Sequence, residues 1–162
     1  MFKIYKKDGK KLHYWEAWEN EAKSWIIHYG IAGKEGDHYE IKKPFFFSAK
    51  KKAVSLLVEK KKEGFQEIPT EAQDILMVEY KVDGFGDEKD LKKRHYIQEL
   101  LDNALRWTGL GMCDGGSVGH NTMEICCYVV DYEKAVPIVK KHLKDGYTNN
   151  YTRIYNERAP SS

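Results

Sequence analysis

The sequence predicts an α+β protein built from two modules. Residues 1–70 are rich in short aromatic segments separated by turn residues, a pattern typical of an antiparallel sheet. In residues 71–162, segments with helical periodicity alternate with strands. The charge also differs between the halves: residues 1–70 carry 15 lysines and 10 acidic residues, a net of +5, whereas residues 71–162 carry a net of −3. We therefore expect modules at 1–68 and 75–158.

The first module begins with strands. Phe2–Lys6 alternates apolar and basic residues, and Asp8-Gly9 predicts a hairpin turn. Pro44 ends the last of these strands, after which Phe45-Phe46-Phe47 enters a new element. The predicted strands are 2–6, 11–20, 24–29 and 38–43, with a glycine-punctuated loop at 30–36.

One helix completes this module. Ser48 is a suitable N-cap for a helix that runs to about Glu63, and Gly64 is placed as its C-terminal stop. Its apolar positions recur at helical spacing and should face the sheet: Ala49, Ala53, Leu56 and Leu57. The segment 66–74, which contains Pro69, is the candidate linker.

The second module has a different order of elements. The predicted strands are 75–82, 110–114, 122–130 and 151–156, and the predicted helices are 88–107 and 131–144, with a loop at 115–121. This β-α-β-β-α-β order is that of the ferredoxin-like split βαβ arrangement. Two helices would then pack on one face of a four-stranded antiparallel sheet.

Residues 29–36 read Tyr-Gly-Ile-Ala-Gly-Lys-Glu-Gly. This resembles the loop that names the WGR domain family, Trp-Gly-Arg-x-Gly-x-x-Gly, with all three glycines in place. The flanking segments are similar too: aromatic strands precede the loop, and Phe47-Ser48 and a helix ending in Lys62-Glu63-Gly64-Phe65 follow it. The resemblance covers roughly residues 1–66.

The resemblance implies a WGR-like fold and engagement of nucleic acid. In family members that sense DNA breaks, the Trp packs on a nucleic-acid sugar and the Arg contributes contacts around the loop. Here Tyr29 and Ile31 stand at those positions; Tyr29 can stack, but the Ile31 side chain cannot donate a hydrogen bond. The candidate binding residues are Tyr29, Gly30, Gly33, Lys34, Gly36, Lys50, Lys51 and Lys52. The alternatives are that the loop only shapes the sheet and that the lysines form a solvated helix face.

The glycine-rich segment 113–120 suggests a recognition loop that uses Asp114, Ser117 and His120. A hairpin connection with permissive glycines is the favoured explanation, because the segment opens onto a strand, whereas phosphate-binding loops open onto a helix. Adjacent Cys126 and Cys127 would point to opposite faces of a strand, so the sequence indicates no metal site. Three cysteines also do not indicate a disulfide framework.

These patterns favour a non-enzymatic binding protein without a cofactor, which engages nucleic acid through its first module. The alternative is protein–protein recognition, such as an antitoxin or immunity protein that binds and blocks a toxin, because the acidic second half would attract a basic partner. The longest apolar stretches, such as Ile125–Val130, are too short for a membrane helix. We expect a cytoplasmic location and no membrane association, and the oligomeric state stays open.

Overall fold

A computed structural model describes residues 1–42 and 48–158 and divides the chain into two compact units, Met1–Pro69 and Thr70–Ser162. The described residues form two antiparallel four-stranded sheets and three α-helices, which confirms the α+β class. The strand end predicted at Pro44 and the element predicted at Phe45–Phe47 lie outside the described residues. None of the helices seen in the described parts of the chain is long and apolar enough to cross a membrane.

The N-terminal unit is a four-stranded meander with one helix. Its strands lie in the sheet in chain order and are β1 (Phe2–Asp8), β2 (Lys11–Glu19), β3 (Trp25–Ile31) and β4 (Asp37–Ile41). The first turn lies one residue later than predicted: Asp8 pairs with Lys11, so Gly9 and Lys10 form the turn, and Gly9 takes a positive φ of 55°. Such tight hairpins need a residue that tolerates this conformation.

Helix α1 (Ala49–Lys62) covers one face of this sheet. Alternate strand residues point to the helix and form a core of Ile4, Trp15, Ala17, Trp25 and Ile27 with Ala49, Ala53 and Leu57. The predicted stop at Gly64 is confirmed: its φ is +95°, and the N–H of Phe65 donates to the carbonyl oxygen of Lys60 at 3.1 Å. This turn brings Phe65 back against the core.

The C-terminal unit has the predicted order of elements. These are β5 (Asp74–Lys81), α2 (Glu88–Trp107), β6 (Gly111–Gly119), β7 (Thr122–Val129), α3 (Tyr132–His142) and β8 (Tyr151–Asn156). The strand order is β6-β7-β5-β8 with antiparallel neighbours, which is compatible with a ferredoxin-like fold. Helix α2 begins where its acidic start predicts, because Asp87 accepts hydrogen bonds from the N–H groups of Lys89 and Asp90.

The loop predicted over 115–121 is wrong. Strand β6 continues to Gly119 past a bulge between Cys113 and Gly115, and only His120 and Asn121 form the turn, both with positive φ. Glycine serves here for close approach, since a Cβ on Gly116 would overlap the carbonyl oxygen of Glu124 on β7. The expectation of unpaired cysteines is also corrected, because Cys113 and Cys127 form a disulfide across these two strands.

The beginning and end of the C-terminal unit lie side by side. The N–H of Glu157 donates to the carbonyl oxygen of Ile75 at 2.9 Å, and the Asn156 amide donates to Asp74 at 2.8 Å. The Arg158 guanidinium then donates to three backbone carbonyls of the incoming segment, those of Thr70, Glu71 and Gln73. The predicted linker is thus held at its second half by the residues that follow β8.

Candidate functional site

A pocket of about 410 Å³ opens on the helix-facing side of the N-terminal sheet, at the C-terminal end of α1. Most of its lining is apolar or aromatic, with one lysine. The lining residues are His13, Tyr14, Trp15, Tyr29, Gly30, Ile31, Tyr39, Lys60 and Phe65. Pockets of this size and composition are typical of small-molecule sites.

Strand register explains why these side chains meet. Trp15 of β2 lies opposite Tyr29 of β3, and His13 lies opposite Ile31. Because side chains two residues apart share a face of a strand, all four point to the side that α1 covers. Tyr39 of β4 shares that face with Ile41, which packs against the core. These rings and Lys60 of the last helical turn line one open pocket.

Two tyrosines form the outer wall of the pocket. The side chains of Tyr29 and Tyr39 are 41% and 44% exposed, and their ring centroids lie 6.2 Å apart at an interplanar angle of 66°. Burial raises the pKa of Tyr39, the Tyr29 hydroxyl raises it further, and the positive charge of Lys60 opposes both. Tyr39 therefore presents a neutral ring with a protonated hydroxyl group at neutral pH.

Lys60 supplies the positive charge of the pocket. Its amine lies 5.6 Å from the centroid of the Phe65 ring and 2.8 Å from a carboxylate oxygen of Glu63. The Glu63 side chain is half exposed, and ion pairs at such positions contribute little free energy. An anionic group that enters the pocket can therefore compete with Glu63 for the lysine.

The glycine loop packs on the opposite face of the sheet. Gly36 lies against the Tyr14 hydroxyl and the His28 ring, and Gly30 lies against Gly36, with 3.0 Å from a Cβ on Gly30 to the Gly36 Cα atom. Gly33 has a positive φ of 92°, which favours glycine for a different reason. The three glycines of the motif thus serve the shape of the loop.

Beneath the loop runs a buried chain of polar groups. The Tyr14 hydroxyl lies 2.9 Å from His28 Nε2, His28 Nδ1 lies 2.7 Å from Glu16, and Lys3 lies 3.1 Å from the other Glu16 oxygen. Burial alone would raise the pKa of Glu16, but the hydrogen bond from His28 and the charge of Lys3 outweigh it and lower that pKa. Because a carboxylate only accepts, His28 Nδ1 donates to Glu16.

The structure divides the residues predicted for this module. Tyr29 and Gly30 line the pocket, whereas Gly33, Lys34 and Gly36 belong to the loop on the other face. The exposed run Lys50, Lys51 and Lys52 lies in the first turn of α1, and the pocket lies at its last turn. Sequence reasoning missed four residues of the lining: His13, Trp15, Tyr39 and Phe65. Two signals could have identified them: the alternation of side chains along the strands and the turn at Gly64.

The residues of the recognition loop predicted in the second module lie along β6 and in its hairpin turn. Asp114 is exposed at the β6 bulge, and the Ser117 hydroxyl donates to Glu124 at 3.1 Å. His120 occupies the hairpin turn, where its ring centroid lies 5.3 Å from that of Phe85. Ser117 and His120 therefore have separate partners.

Within residues 1–42 and 48–158, no three histidine, cysteine or acidic side chains are grouped so that they could hold a metal ion. Comparison with known proteins adds no relative: no family model, no curated protein and no solved structure matches the chain. The resemblance of residues 1–66 to the WGR family therefore stays a prediction, and the pocket described above is the candidate site.

Proposed function

We propose that the protein is a non-enzymatic binding protein whose WGR-like N-terminal unit engages nucleic acid. The observation that carries the proposal is the pocket itself, in which exposed aromatic rings lie beside a lysine. Proteins that bind nucleic acid without reading its sequence combine these two elements: rings on which bases or sugars pack and cations that neutralise phosphates.

The charge of this unit supports the proposal. Residues 1–70 carry a net charge of +5, and their basic side chains are all lysines because this segment contains no arginine. Lysine neutralises phosphate as a point charge, whereas arginine is the residue favoured for bidentate reading of bases. We therefore expect binding that depends strongly on salt and weakly on sequence, with Lys50, Lys51 and Lys52 extending the positive surface along α1.

Fluorescence anisotropy tests the proposal. Labelled blunt duplex DNA, nicked DNA and single-stranded RNA are titrated with the full chain at two salt concentrations. Changing Lys50, Lys51 and Lys52 together to glutamine should weaken binding and flatten its salt dependence by about 0.9 in the logarithmic slope for each lost duplex phosphate contact. Tyr29→Ala should weaken binding through lost packing.

A matched control comes from the other unit. Lys140, Lys141 and Lys144 are exposed on and after α3, so changing all three to glutamine alters the net charge equally. This control should retain the wild-type salt slope. If both triple variants weaken binding equally, the effect is one of overall charge and the proposed surface is wrong. The absence of binding at low salt would refute the nucleic-acid function.

A second candidate function is recognition of a protein partner, such as a toxin bound by its immunity protein. Phe85 favours it, because this side chain is 76% exposed on a loop whose backbone is well held. The N–H of Asn121 donates to the carbonyl oxygen of Gly84 at 2.7 Å, and the Gly84 N–H donates to the Asn121 side chain at 3.0 Å. A preorganised aromatic side chain flanked by Asp83 and Asp87 suits an apolar pocket with a basic rim.

Affinity capture from cell extract tests this candidate. A partner that the wild-type chain retains should be lost with Phe85→Ala and kept with Leu91→Ala, which removes another exposed apolar side chain of the same unit. Equal retention by both variants would exclude Phe85 as the anchor.

A further inference from the structure

We propose that the pocket of the N-terminal unit takes a single unpaired nucleotide, with its base against the aromatic wall and its phosphate on Lys60. The inference rests on the proposed function and specifies its ligand. It follows from the charge, shape and size of the pocket together.

Shape is the first constraint. Trp15 is buried and closes the inner side of the pocket, while Tyr29 and Tyr39 stand at its mouth with their rings tilted toward each other. Rings arranged at this angle offer both a face and an edge to a third flat ring. A planar ligand can therefore contact both tyrosine rings at once. A flexible aliphatic chain has no flat surface with which to do so.

Charge is the second constraint. The Lys60 amine already lies over the Phe65 ring, which is where a ligand cation would need to lie. Like charges repel, so the pocket disfavours quaternary ammonium groups and methylated lysines, which other aromatic cages accept. A neutral apolar ligand would bring no anion to Lys60, so Glu63 alone would balance its charge. A flat ring that carries an anionic group satisfies both features, and a nucleotide is such a ligand.

Accessibility of the base is the third constraint. A base within a duplex has its faces covered by its neighbours, so it can enter an aromatic pocket only when it is unpaired or flipped out. The pocket volume of about 410 Å³ suits one nucleotide rather than a stacked pair. The ligand is therefore the unpaired residue of a single strand, an overhang or a gap, and a free nucleoside monophosphate should occupy the same place.

The Lys60–Glu63 ion pair predicts opposite changes in ligand affinity for substitutions of its two members. An entering phosphate must displace Glu63 from Lys60, so removing the Glu63 charge should favour the ligand and removing the Lys60 charge should oppose it. Both side chains are partly exposed at the helix end, so neither change threatens the core. A purely structural role for this pair would make the two substitutions act in the same direction.

Calorimetry measures the binding of AMP and of adenosine to the full chain. A competition assay measures whether AMP displaces labelled single-stranded DNA. We expect AMP to bind more tightly than adenosine, and Lys60→Gln to abolish that difference. Glu63→Gln should tighten AMP binding several-fold. Tyr39→Ala should weaken both ligands by about tenfold, within the range found when one stacked base loses its aromatic partner. Tyr39→Leu serves as a second variant that keeps the apolar contact, and Tyr96→Ala, an exposed tyrosine of α2, serves as the control.

The outcomes separate this inference from the proposed function. If the chain binds duplex and single strands equally and AMP displaces neither, the nucleotide pocket is wrong and general nucleic-acid binding stands. If AMP binds with the expected variant pattern but no polymer binds, the pocket is right and the polymer is not its ligand. If Lys60→Gln and Glu63→Gln change AMP affinity in the same direction, the phosphate is not placed on Lys60 and the inference fails.

Discussion

Gly36 lies directly against the hydroxyl group of Tyr14. A Cβ atom on Gly36 would lie 2.8 Å from His28 Nε2 and would overlap the Tyr14 oxygen. The loop backbone thus forms the cover of the buried polar chain that runs from Tyr14 through His28 to Glu16. Glycine is needed at positions 30 and 36 because a Cβ atom at either would meet atoms beneath the loop.

We predict that Gly36→Ala lowers the free energy of unfolding of the N-terminal unit by about 1–3 kcal/mol, because the added methyl group forces either the loop or the tyrosine to move. Urea unfolding followed by tryptophan fluorescence measures the change. Gly146→Ala is the control, since a Cβ there meets no atom within 4 Å. Equal effects of the two substitutions would contradict the close packing at Gly36.

The Glu16 carboxylate should make stability depend on pH. Its pKa is lowered in the folded state from 4.5, so its contribution is present above that value and is lost as the pH falls through the folded-state pKa. Glu16→Gln should cost roughly 1–3 kcal/mol at pH 7, and the gap from wild type should narrow in acid. Unfolding curves between pH 7 and pH 3 measure this, with the exposed Glu19→Gln as control. A gap that stays constant over this range would contradict the assignment.

The Cys113–Cys127 disulfide predicts a measurable stabilisation of the C-terminal unit. The two residues are 14 apart in sequence, and closing a loop of about this length in the unfolded chain is worth roughly 3 kcal/mol. Cys113→Ser should lower the free energy of unfolding by about that amount, while Cys126→Ser should change it little, since Cys126 is the free cysteine. Thiol titration of the denatured, unreduced protein should find one free thiol; three would contradict the pairing.

Arg158 should protect the segment before β5 from proteolysis. Its guanidinium donates to the carbonyl groups of Thr70, Glu71 and Gln73, and losing these exposed hydrogen bonds costs about 1 kcal/mol locally. We expect Arg158→Ala to speed cleavage after Glu71 by a glutamate-specific protease at least about fivefold. Arg153→Ala is the control, because that arginine pairs with Glu79 instead. Unchanged cleavage in the Arg158 variant would show that the segment is held by other contacts.

Local signals in the sequence predicted much of the fold. Helix α2 begins and ends where its capping residues and periodicity indicate, and β8 spans the predicted residues. The main error was at Gly115–Asn121, where clustered glycines favour a loop when judged alone. A glycine can mark a flexible loop or a place where two strands approach closely, and only the partner strand distinguishes the two. For Gly116 the partner is Glu124 of β7, whose carbonyl oxygen leaves no room for a Cβ atom.

The candidate site was predicted only in part, for a related reason. Tyr29 and Gly30 belong to a motif that is continuous in sequence, so they could be identified. Tyr39 and Lys60 reach the same pocket from a different strand and from the end of a helix. Their proximity depends on strand register and on where α1 stops, and neither is expressed by any local pattern of residues. The helix end at Gly64, which was predicted, was the closest available indication.

The pairing of Glu157 with Ile75 has a consequence for protein engineering. Because the chain enters and leaves the C-terminal unit at adjacent points, the unit could be placed within a surface loop of a host protein without separating the ends of that loop. The same adjacency allows the original ends to be joined by a short connection and new ends to be opened elsewhere, for example at the His120–Asn121 turn. Each rearrangement would leave every strand neighbour of the sheet in place.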